Sequence, residues 1–233
     1  MWRNGLTEVS RMEGPFWLSD DPQGPFPPLH LALEQPNGLL AVGGDLSPQR
    51  LLNAYSHGIF PWYSEGEPIL WWSPAPRAVL FPDELHIGRS LKKRIRQHPF
   101  KVTLNLAFPE VIDACAAPRS NTEESGTWIT EEMKQAYIQL HQLGHAHSVE
   151  CWDENQLVGG IYGIQIGKLF CGESMFTRSN DASKIALVTL LTEFKGDEIG
   201  MMDIQMMSPH LLQLGAREIS RTEYQRELAR LTG

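Results

Sequence analysis

Residues 157–176, LVGGIYGIQIGKLFCGESMF, constrain the fold of this chain more than any other stretch. Two runs rich in Ile, Leu, Tyr and Phe flank a short Ile-Gly-Lys break at residues 166–168. Because apolar and aromatic residues favour strands and glycine favours a tight turn, the pattern predicts a β-hairpin. Its second arm carries Glu173, and an acid in an apolar strand is costly to bury without a partner. Either Glu173 faces solvent beside a bulge at Gly172, or it belongs to a functional site.

Length and composition describe a chain that can build a core. The 233 residues suffice for one large domain or two small ones, and 42% of them are hydrophobic. A formal net charge of -8 argues against nucleic-acid binding over the whole surface, but not against a local basic patch. Three cysteines without a CxxC pair argue against a disulfide framework or a zinc knuckle. Since no signal peptide or bilayer-spanning segment is evident, we expect a soluble, cytoplasmic protein. The acidic composition and the lack of a disulfide framework fit a monomer.

The order of predicted elements indicates an α+β fold. After the hairpin, the pattern predicts a helix over residues 182–194 and a strand over residues 201–206. This order is typical of a mixed sheet flanked by helices. The polar stretch that follows residue 118 gives a weak signal for a boundary. We therefore expect an N-terminal domain of residues 1–118 and a C-terminal domain of residues 119–233.

A carboxylate and an amide stand two residues apart in the strand predicted over residues 201–206. The two-residue period of a strand places Asp203 and Gln205 on one face and Met202 and Ile204 on the other. A solvent-facing strand surface is the common reading of such a pair. Methionines on both sides of it instead indicate a central strand, and a buried Asp beside a hydrogen-bonding neighbour is a candidate functional group.

Basic residues form one dense cluster in this acidic chain. Its members on a predicted helix are Lys92, Lys93, Arg94 and Arg96. Such a face is often merely solvated. The contrast with the charge of the whole chain favours contacts to a nucleic-acid backbone, which position the nucleic acid without reading its sequence.

Two tryptophans in predicted loops, Trp62 and Trp128, are candidates for stacking on nucleobases. Such stacking is worth ~1–3 kcal/mol per base, although core packing is the commoner fate of tryptophan. His145 and His147 share one predicted strand face, but no third ligand stands at metal spacing. We therefore expect no metal site.

Seven strings follow one another over residues 36–220: PNGLLAVGGDLSPQRLLNAYSHGIFPWYS, ILWWSPAPRAVL, GTWIT, LGHAHSVE, LVGGIYGIQIGKLFCGESMF, ASKIALVTL and MDIQ. In these strings the chain resembles bacterial leucyl/phenylalanyl-tRNA–protein transferases. The resemblance implies a small N-terminal domain and a larger C-terminal domain similar to GNAT acyltransferases. It implies an enzyme that moves leucine, less often phenylalanine or methionine, from tRNA to the α-amine of an N-terminal Arg or Lys, creating an N-degron. No metal or organic cofactor is expected.

The resemblance also implies the roles of individual residues. Trp62 and Trp128 would hold the 3′-terminal adenosine, and the basic helix would meet the tRNA backbone. Asp203 and Gln205 would lie at the reacting ester. There Asp203 would orient or deprotonate the acceptor amine, or both residues would only position the substrates. The remaining predicted substrate-binding residues, most of them lining the aminoacyl pocket, are Tyr137, Ile161, Phe170, Gly172, Glu173, Ser174, Met175 and Leu187.

Three other functions compete with this interpretation. A CoA-dependent N-acyltransferase would use the same fold, but it would cradle a pyrophosphate with a Gly-rich loop, and residues 177–183 contain no glycine. A transferase that passes amino acids from tRNA into cell-wall peptides fits the motifs less well. A non-catalytic RNA-binding module would leave Glu173, Asp203 and Gln205 without a role.

Overall fold

The structure is a computed structural model that describes residues 14–117, 128–194 and 198–233. The first part of the chain forms a four-stranded sheet with spatial order β1-β2-β4-β3. Its elements are β1 (Phe16–Leu18), β2 (Leu39–Gly43), α1 (Pro48–Ser56), β3 (Phe60–Pro61) and β4 (Leu70–Trp72). Helix α1 begins with proline in its first turn, and the Ser47 hydroxyl caps it by accepting from the Arg50 amide.

A seven-stranded sheet carries the candidate site. Its strands are β5 (Arg77–Leu80), β6 (Lys101–Leu104), β7 (Ala146–Asp153), β8 (Gln156–Ile166), β9 (Leu169–Thr177), β10 (Met201–Gln205) and β11 (Arg217–Ile219). They lie in the order β11-β5-β10-β9-β8-β7-β6. Strands β9 and β10 run parallel, and the other neighbours run antiparallel. The predicted α+β class with a mixed sheet, and the central place of the strand that contains Asp203, are confirmed.

Helices cover both faces of this sheet. They are α2 (Arg89–Arg96), α3 (Phe108–Ala116), α4 (Glu131–Gln142), α5 (Ala182–Thr189), α6 (Pro209–Gln213) and α7 (Arg221–Thr232). The helix predicted over residues 182–194 is α5 followed by a π-helical turn, Leu190–Phe194. One apolar cluster holds side chains of α1, α3, α4 and α7, and the other holds side chains of α2 and α5. Successive sheet residues such as Met201 and Met202 alternate between the two clusters, as the strand period requires.

The predicted hairpin is confirmed as β8 and β9, with Gly167 in the turn at a φ of 55°. The predicted boundary between residues 118 and 119 lies outside the described residues and stays a prediction. The seven-stranded sheet takes β5 and β6 from before that position. No helix of the described residues is long and apolar enough to cross a membrane.

Candidate active site

A cavity of about 450 Å³ lies where β9 and β10 separate. The two strands pair only as far as Cys171 and Asp203, and the residues beyond those positions form the cavity wall. Residues of both tryptophan-containing loops and of the segment after β10 complete it. Predicted site residues that line it are Trp62, Trp128, Ile161, Gly172, Glu173, Ser174, Met175 and Gln205.

Four other predicted site residues are buried next to this cavity. Phe170 and Leu187 belong to the apolar cluster against which Met175 packs. Tyr137 lies behind Glu173, to which its hydroxyl donates a hydrogen bond. The Asp203 side chain is 1% exposed and accepts the backbone N–H of Gln205. These four residues therefore lie close to the cavity, but they pack behind the residues that line it and do not line it themselves.

Two β-bulges aim the polar side chains of the site. On β9, Ser174 pairs with Tyr162 and Gly172 pairs with Gly163, so Glu173 is the extra residue. On β10, Asp203 pairs with Val79 and Gln205 with Ala78, so the pairing skips one residue and Gln205 adopts a φ of 57°. Bulges re-aim side chains in this way. The expectation that Asp203 and Gln205 share one face is confirmed despite the bulge. Met202 and Ile204 both belong to the apolar cluster of α2 and α5. Asp203 and Gln205 instead bond to Tyr224 and Glu173 on the other face of the sheet.

Glu173 is the carboxylate of the cavity wall. Its Oε2 accepts the hydroxyl of Tyr137 at 3.0 Å, and its Oε1 accepts the side-chain amide of Gln205 at 3.2 Å. The hydroxyl of Tyr137 also lies 2.7 Å from that of Tyr55. Burial raises the pKa of Glu173 to about 7, assisted by the negative charge of Asp203 and opposed by the two tyrosines and Arg77. A carboxyl that titrates near neutrality can exchange a proton with a substrate.

Asp203, by contrast, is saturated with protein donors. Its Oδ1 accepts Arg77 Nε at 2.8 Å and Gln205 N at 2.9 Å. Its Oδ2 accepts Arg77 Nη2 and the Tyr224 hydroxyl, both at 2.7 Å. The guanidinium of Arg77 lies between the rings of Phe60 and Tyr224, 4.9 and 4.8 Å from their centroids. A buried ion pair of this geometry costs little only because each polar atom of the carboxylate is matched.

Sequence reasoning missed Arg77 and Tyr224. One signal was available for Arg77, since it opens the apolar strand β5 and an arginine in such a strand needs a buried acid. Nothing in the amphipathic pattern of α7 distinguishes Tyr224 from an ordinary core tyrosine.

The two tryptophans frame the mouth of the cavity. Trp62 is 40% exposed, and its ring meets that of Trp72 edge to face, with centroids 5.6 Å apart. Trp72 Nε1 donates to the backbone carbonyl of Trp62 at 2.7 Å, which fixes this loop. Trp128 is half-buried on the cavity wall. An exposed, anchored indole is available for stacking in a way that a core indole such as Trp71 is not.

The predicted basic cluster lies on helix α2. Lys92, Lys93 and Arg96 are exposed, while Arg94 is half-buried with its guanidinium 5.5 Å from the Phe100 ring. A second cavity of about 290 Å³ lies between the start of α2 and α6, and His210 lines both cavities. The start of α2 is thus linked to the candidate active site through His210, although none of its four predicted basic residues lines either cavity.

Two family models match adjoining stretches of the chain. The model described as leucyl/phenylalanyl-tRNA protein transferase matches residues 79–229, and the model of the N-terminal domain of that enzyme matches residues 44–75. The chain belongs to the leucyl/phenylalanyl-tRNA–protein transferase family. As a member of that family it is an aminoacyltransferase, and it uses an aminoacyl-tRNA and a protein acceptor.

Curated relatives of the same name cover most of the chain. The transferase of Stutzerimonas stutzeri is 56% identical over 91% of this chain and 93% of its own length. That of Pseudomonas aeruginosa is 59% identical over 85% of this chain and 87% of its own. The transferase of Nitrosomonas europaea is 56% identical over 89% of this chain and 87% of its own length.

Solved structures resemble this transferase only distantly. L-PGS from Bacillus licheniformis is 11% identical, with a TM-score of 0.38 over 73% of this chain and 54% of that one. A GCN5-related N-acetyltransferase-like protein from Streptococcus suis is 13% identical, with a TM-score of 0.35 over 71% and 61%. Similarity at this level is too low to carry an argument about fold or function.

Proposed function

We propose that this transferase moves leucine, less often phenylalanine or methionine, from aminoacyl-tRNA to the α-amine of an N-terminal Arg or Lys of a protein. The product carries an N-degron. We propose that the transferase acts as a monomer in the cytoplasm. One observation carries the proposal: an apolar cavity has a carboxyl–amide pair, Glu173 and Gln205, on its wall and two indoles at its mouth. Aminoacyl ester, nucleoside and amine each find a matching surface there.

The amino-acid side chain is placed among the apolar residues of the cavity. Ile161, Met175 and Met202 supply a surface that matches the branched end of leucine or the thioether of methionine. Phe170 and Leu187 pack beneath these residues and keep the wall rigid. A Cβ at residue 172 would collide with the Met202 methyl group, so Gly172 allows that methyl group to form the cavity wall at this point. A substrate side chain branched at Cβ carries its bulk next to the ester and would clash with this wall. Valine and isoleucine are therefore rejected.

In this proposal the terminal adenosine of the tRNA binds between Trp62 and Trp128. The acceptor stem of the tRNA then lies along α2. Stacking on the two indoles supplies affinity without dependence on the rest of the tRNA sequence. Lys92, Lys93 and Arg96 then neutralise backbone phosphates, with Arg94 at the inner side of the helix.

The reaction is aminolysis of the ester. The acceptor amine attacks the carbonyl carbon, a C–N bond forms, and the C–O bond to the ribose oxygen breaks. The amine loses one proton, which passes to Glu173, and Glu173 then returns this proton to the leaving ribose oxygen. The amide oxygen of Gln205 accepts an N–H of the amine while its Nε2 holds Glu173. A base with a pKa near 7 suits this task because it is half ionised at neutral pH.

The start of α5 argues against the CoA alternative. That helix would have to offer its N-terminus to a pyrophosphate, but Asp181 stands at the N-cap position with a φ of 64°. Its carboxylate pairs with Lys184 at 3.1 Å. The position that a CoA phosphate needs is thus held by a negative charge.

A single assay tests the proposal. The protein is incubated with labelled Leu-tRNA and a peptide that begins with Arg, beside a matched peptide whose α-amine is acetylated and a parallel reaction with labelled acetyl-CoA. We expect label only on the free-amine peptide and only from Leu-tRNA. Label from acetyl-CoA alone, or on the blocked peptide, would contradict the proposal.

A further inference from the structure

We propose that Arg77 and Tyr224 are positioning residues that hold Asp203 as a fully coordinated anion, and that Asp203 in turn fixes the backbone of Gln205. Asp203 then takes no proton from the acceptor amine. The inference rests on the proposed transfer reaction and assigns it two residues on elements distant in sequence, β5 and α7.

The hydrogen-bond count excludes a direct role for Asp203. A carboxylate offers about four acceptor positions. Arg77 occupies two of them, Tyr224 a third and the Gln205 amide the fourth. With 1% of its side chain exposed and no place among the residues that line the cavity, Asp203 has no free lone pair to offer an incoming amine.

The same bonds explain the unusual backbone of Gln205. A residue other than glycine at a φ of 57° is held there only when its surroundings determine it. Here the Gln205 N–H donates to Asp203 Oδ1 at 2.9 Å. That bond orients the residue so that its side-chain amide reaches Glu173 Oε1 at 3.2 Å. Asp203 thus acts on the reaction through Gln205.

Arg77 and Tyr224 complete the arrangement from the opposite side. The guanidinium is bidentate to the carboxylate, and the rings of Phe60 and Tyr224 enclose it. Phe60 also lines the active-site cavity. Any movement of Arg77 therefore displaces both the acid that holds Gln205 and an aromatic side chain of the cavity wall.

A pair of variants separates positioning from proton transfer. In Asp203→Asn, the new amide group meets the N–H donors of Arg77, so we expect Gln205 to shift and kcat to fall about 10²-fold. Adding Arg77→Met removes these donors. The Asn oxygen can then accept the Gln205 amide, and the Asn nitrogen can donate to the Tyr224 hydroxyl. We expect the double variant to regain about tenfold in kcat, with the KM for Leu-tRNA unchanged.

A proton acceptor at residue 203 would give the opposite result, since the double variant would then be no more active than Asp203→Asn.

The conservative variant Tyr224→Phe keeps the ring over Arg77 and removes one hydrogen bond. We expect it to lower kcat about fivefold without moving the midpoint of the pH profile. A moved midpoint, or an unchanged kcat, would overturn the role given to Tyr224.

Two controls keep the test independent of stability and of the transfer assay. Arg50 is a second fully buried arginine, not among the residues that line the active-site cavity, and it holds backbone carbonyls of Ser19 and Asp21. We expect both Arg50→Lys and Arg77→Lys to lower the melting temperature, but only Arg77→Lys to lower kcat. Hydrogen exchange of the Gln205 amide gives a readout without turnover, and we expect protection in the wild type that is lost in Arg77→Lys. Rapid exchange in the wild type would overturn the inference, whereas failure of the wild type to transfer leucine would overturn the proposed function alone.

Discussion

Glu150 and Glu173 are acids on strands of one sheet, the first fully buried and the second half-buried. Their surroundings differ in a way that separates a structural carboxylate from a reactive one. Glu150 on β7 is fully buried. It accepts the hydroxyls of Thr103 and Ser148, each at 2.5 Å, and the backbone N–H groups of Leu106 and Ala107 at 3.4 and 3.5 Å. It lines none of the cavities described above.

Glu173 accepts hydrogen bonds from Tyr137 and Gln205 at 3.0 and 3.2 Å, has the Tyr55 hydroxyl close by, and faces the cavity on its remaining side. Both carboxylates interrupt apolar strands, so composition alone does not distinguish them. What differs is how completely the protein satisfies each carboxylate, since an acid that lacks donors retains capacity for a substrate proton. By this criterion Asp203 belongs with Glu150, although its effect reaches the active site through Gln205.

The largest expected effect is on catalysis at Glu173. Glu173→Gln keeps the size of the side chain and removes the proton acceptor, so we expect kcat for leucyl transfer to fall by about 10²–10⁴-fold. Binding of Leu-tRNA, measured by filter retention, should stay within about twofold of the wild type because stacking and backbone contacts are untouched. A variant with more than a tenth of wild-type kcat would remove Glu173 as the base.

The second effect is on stability at Glu150. Glu150→Ala leaves two hydroxyls and two N–H groups without their acceptor, and we expect the free energy of unfolding to fall by about 3 kcal/mol. Denaturant unfolding measures this loss. The kcat per folded molecule should not change, and a reduced kcat with normal stability would mean that the two acids are not functionally distinct.

The third effect couples stability to pH at Glu173. Because its folded pKa, about 7, lies above the ordinary value of 4.5, the folded protein binds this proton more tightly than the unfolded chain does. The contribution to stability is complete below about pH 4.5 and is lost as pH rises through 7. The melting temperature of Glu173→Gln should therefore increase relative to the wild type between pH 5 and pH 8.

The titration of Glu173 should also appear in the transfer activity of the wild type, where activity rises over the pH range in which stability falls. Its kcat/KM should rise with pH up to about 7, since only ionised Glu173 accepts a proton. A flat profile between pH 5.5 and pH 7.5, together with a pH-independent difference in melting temperature, would show that Glu173 does not titrate in this range.

Much of this arrangement was predictable from the sequence, and one part was not. The hairpin, its turn and the central strand follow from apolar runs and glycine, which are local signals. The bulge next to Gln205 shifts the register by one residue and leaves no mark in composition. The bulge at Glu173 adjoins Gly172, where the glycine had suggested one. The pairing of Arg77 with Asp203 spans 126 residues of sequence, so only tertiary packing brings the two together.

The smallest expected effect concerns Tyr162, which completes the surroundings of Glu173. Its ring meets those of Tyr137 and Phe108 edge to face, with centroids 5.7 Å from each. Its hydroxyl is buried and lacks a hydrogen-bond partner among the described residues. Removing an unsatisfied hydroxyl is neutral or favourable, so Tyr162→Phe should raise the free energy of unfolding by up to about 1 kcal/mol.

Transfer by Tyr162→Phe should match the wild type within about twofold, because the hydroxyl makes no bond that the reaction uses. The matched variant Tyr137→Phe removes a hydroxyl that does donate to Glu173. Loss of this donor favours the protonated acid, so the midpoint of the pH profile should move upward in Tyr137→Phe alone. An equal upward shift in Tyr162→Phe would mean that the Tyr162 hydroxyl also donates to Glu173. The two carboxylates, Glu150 and Glu173, would then differ less in how many donors satisfy them.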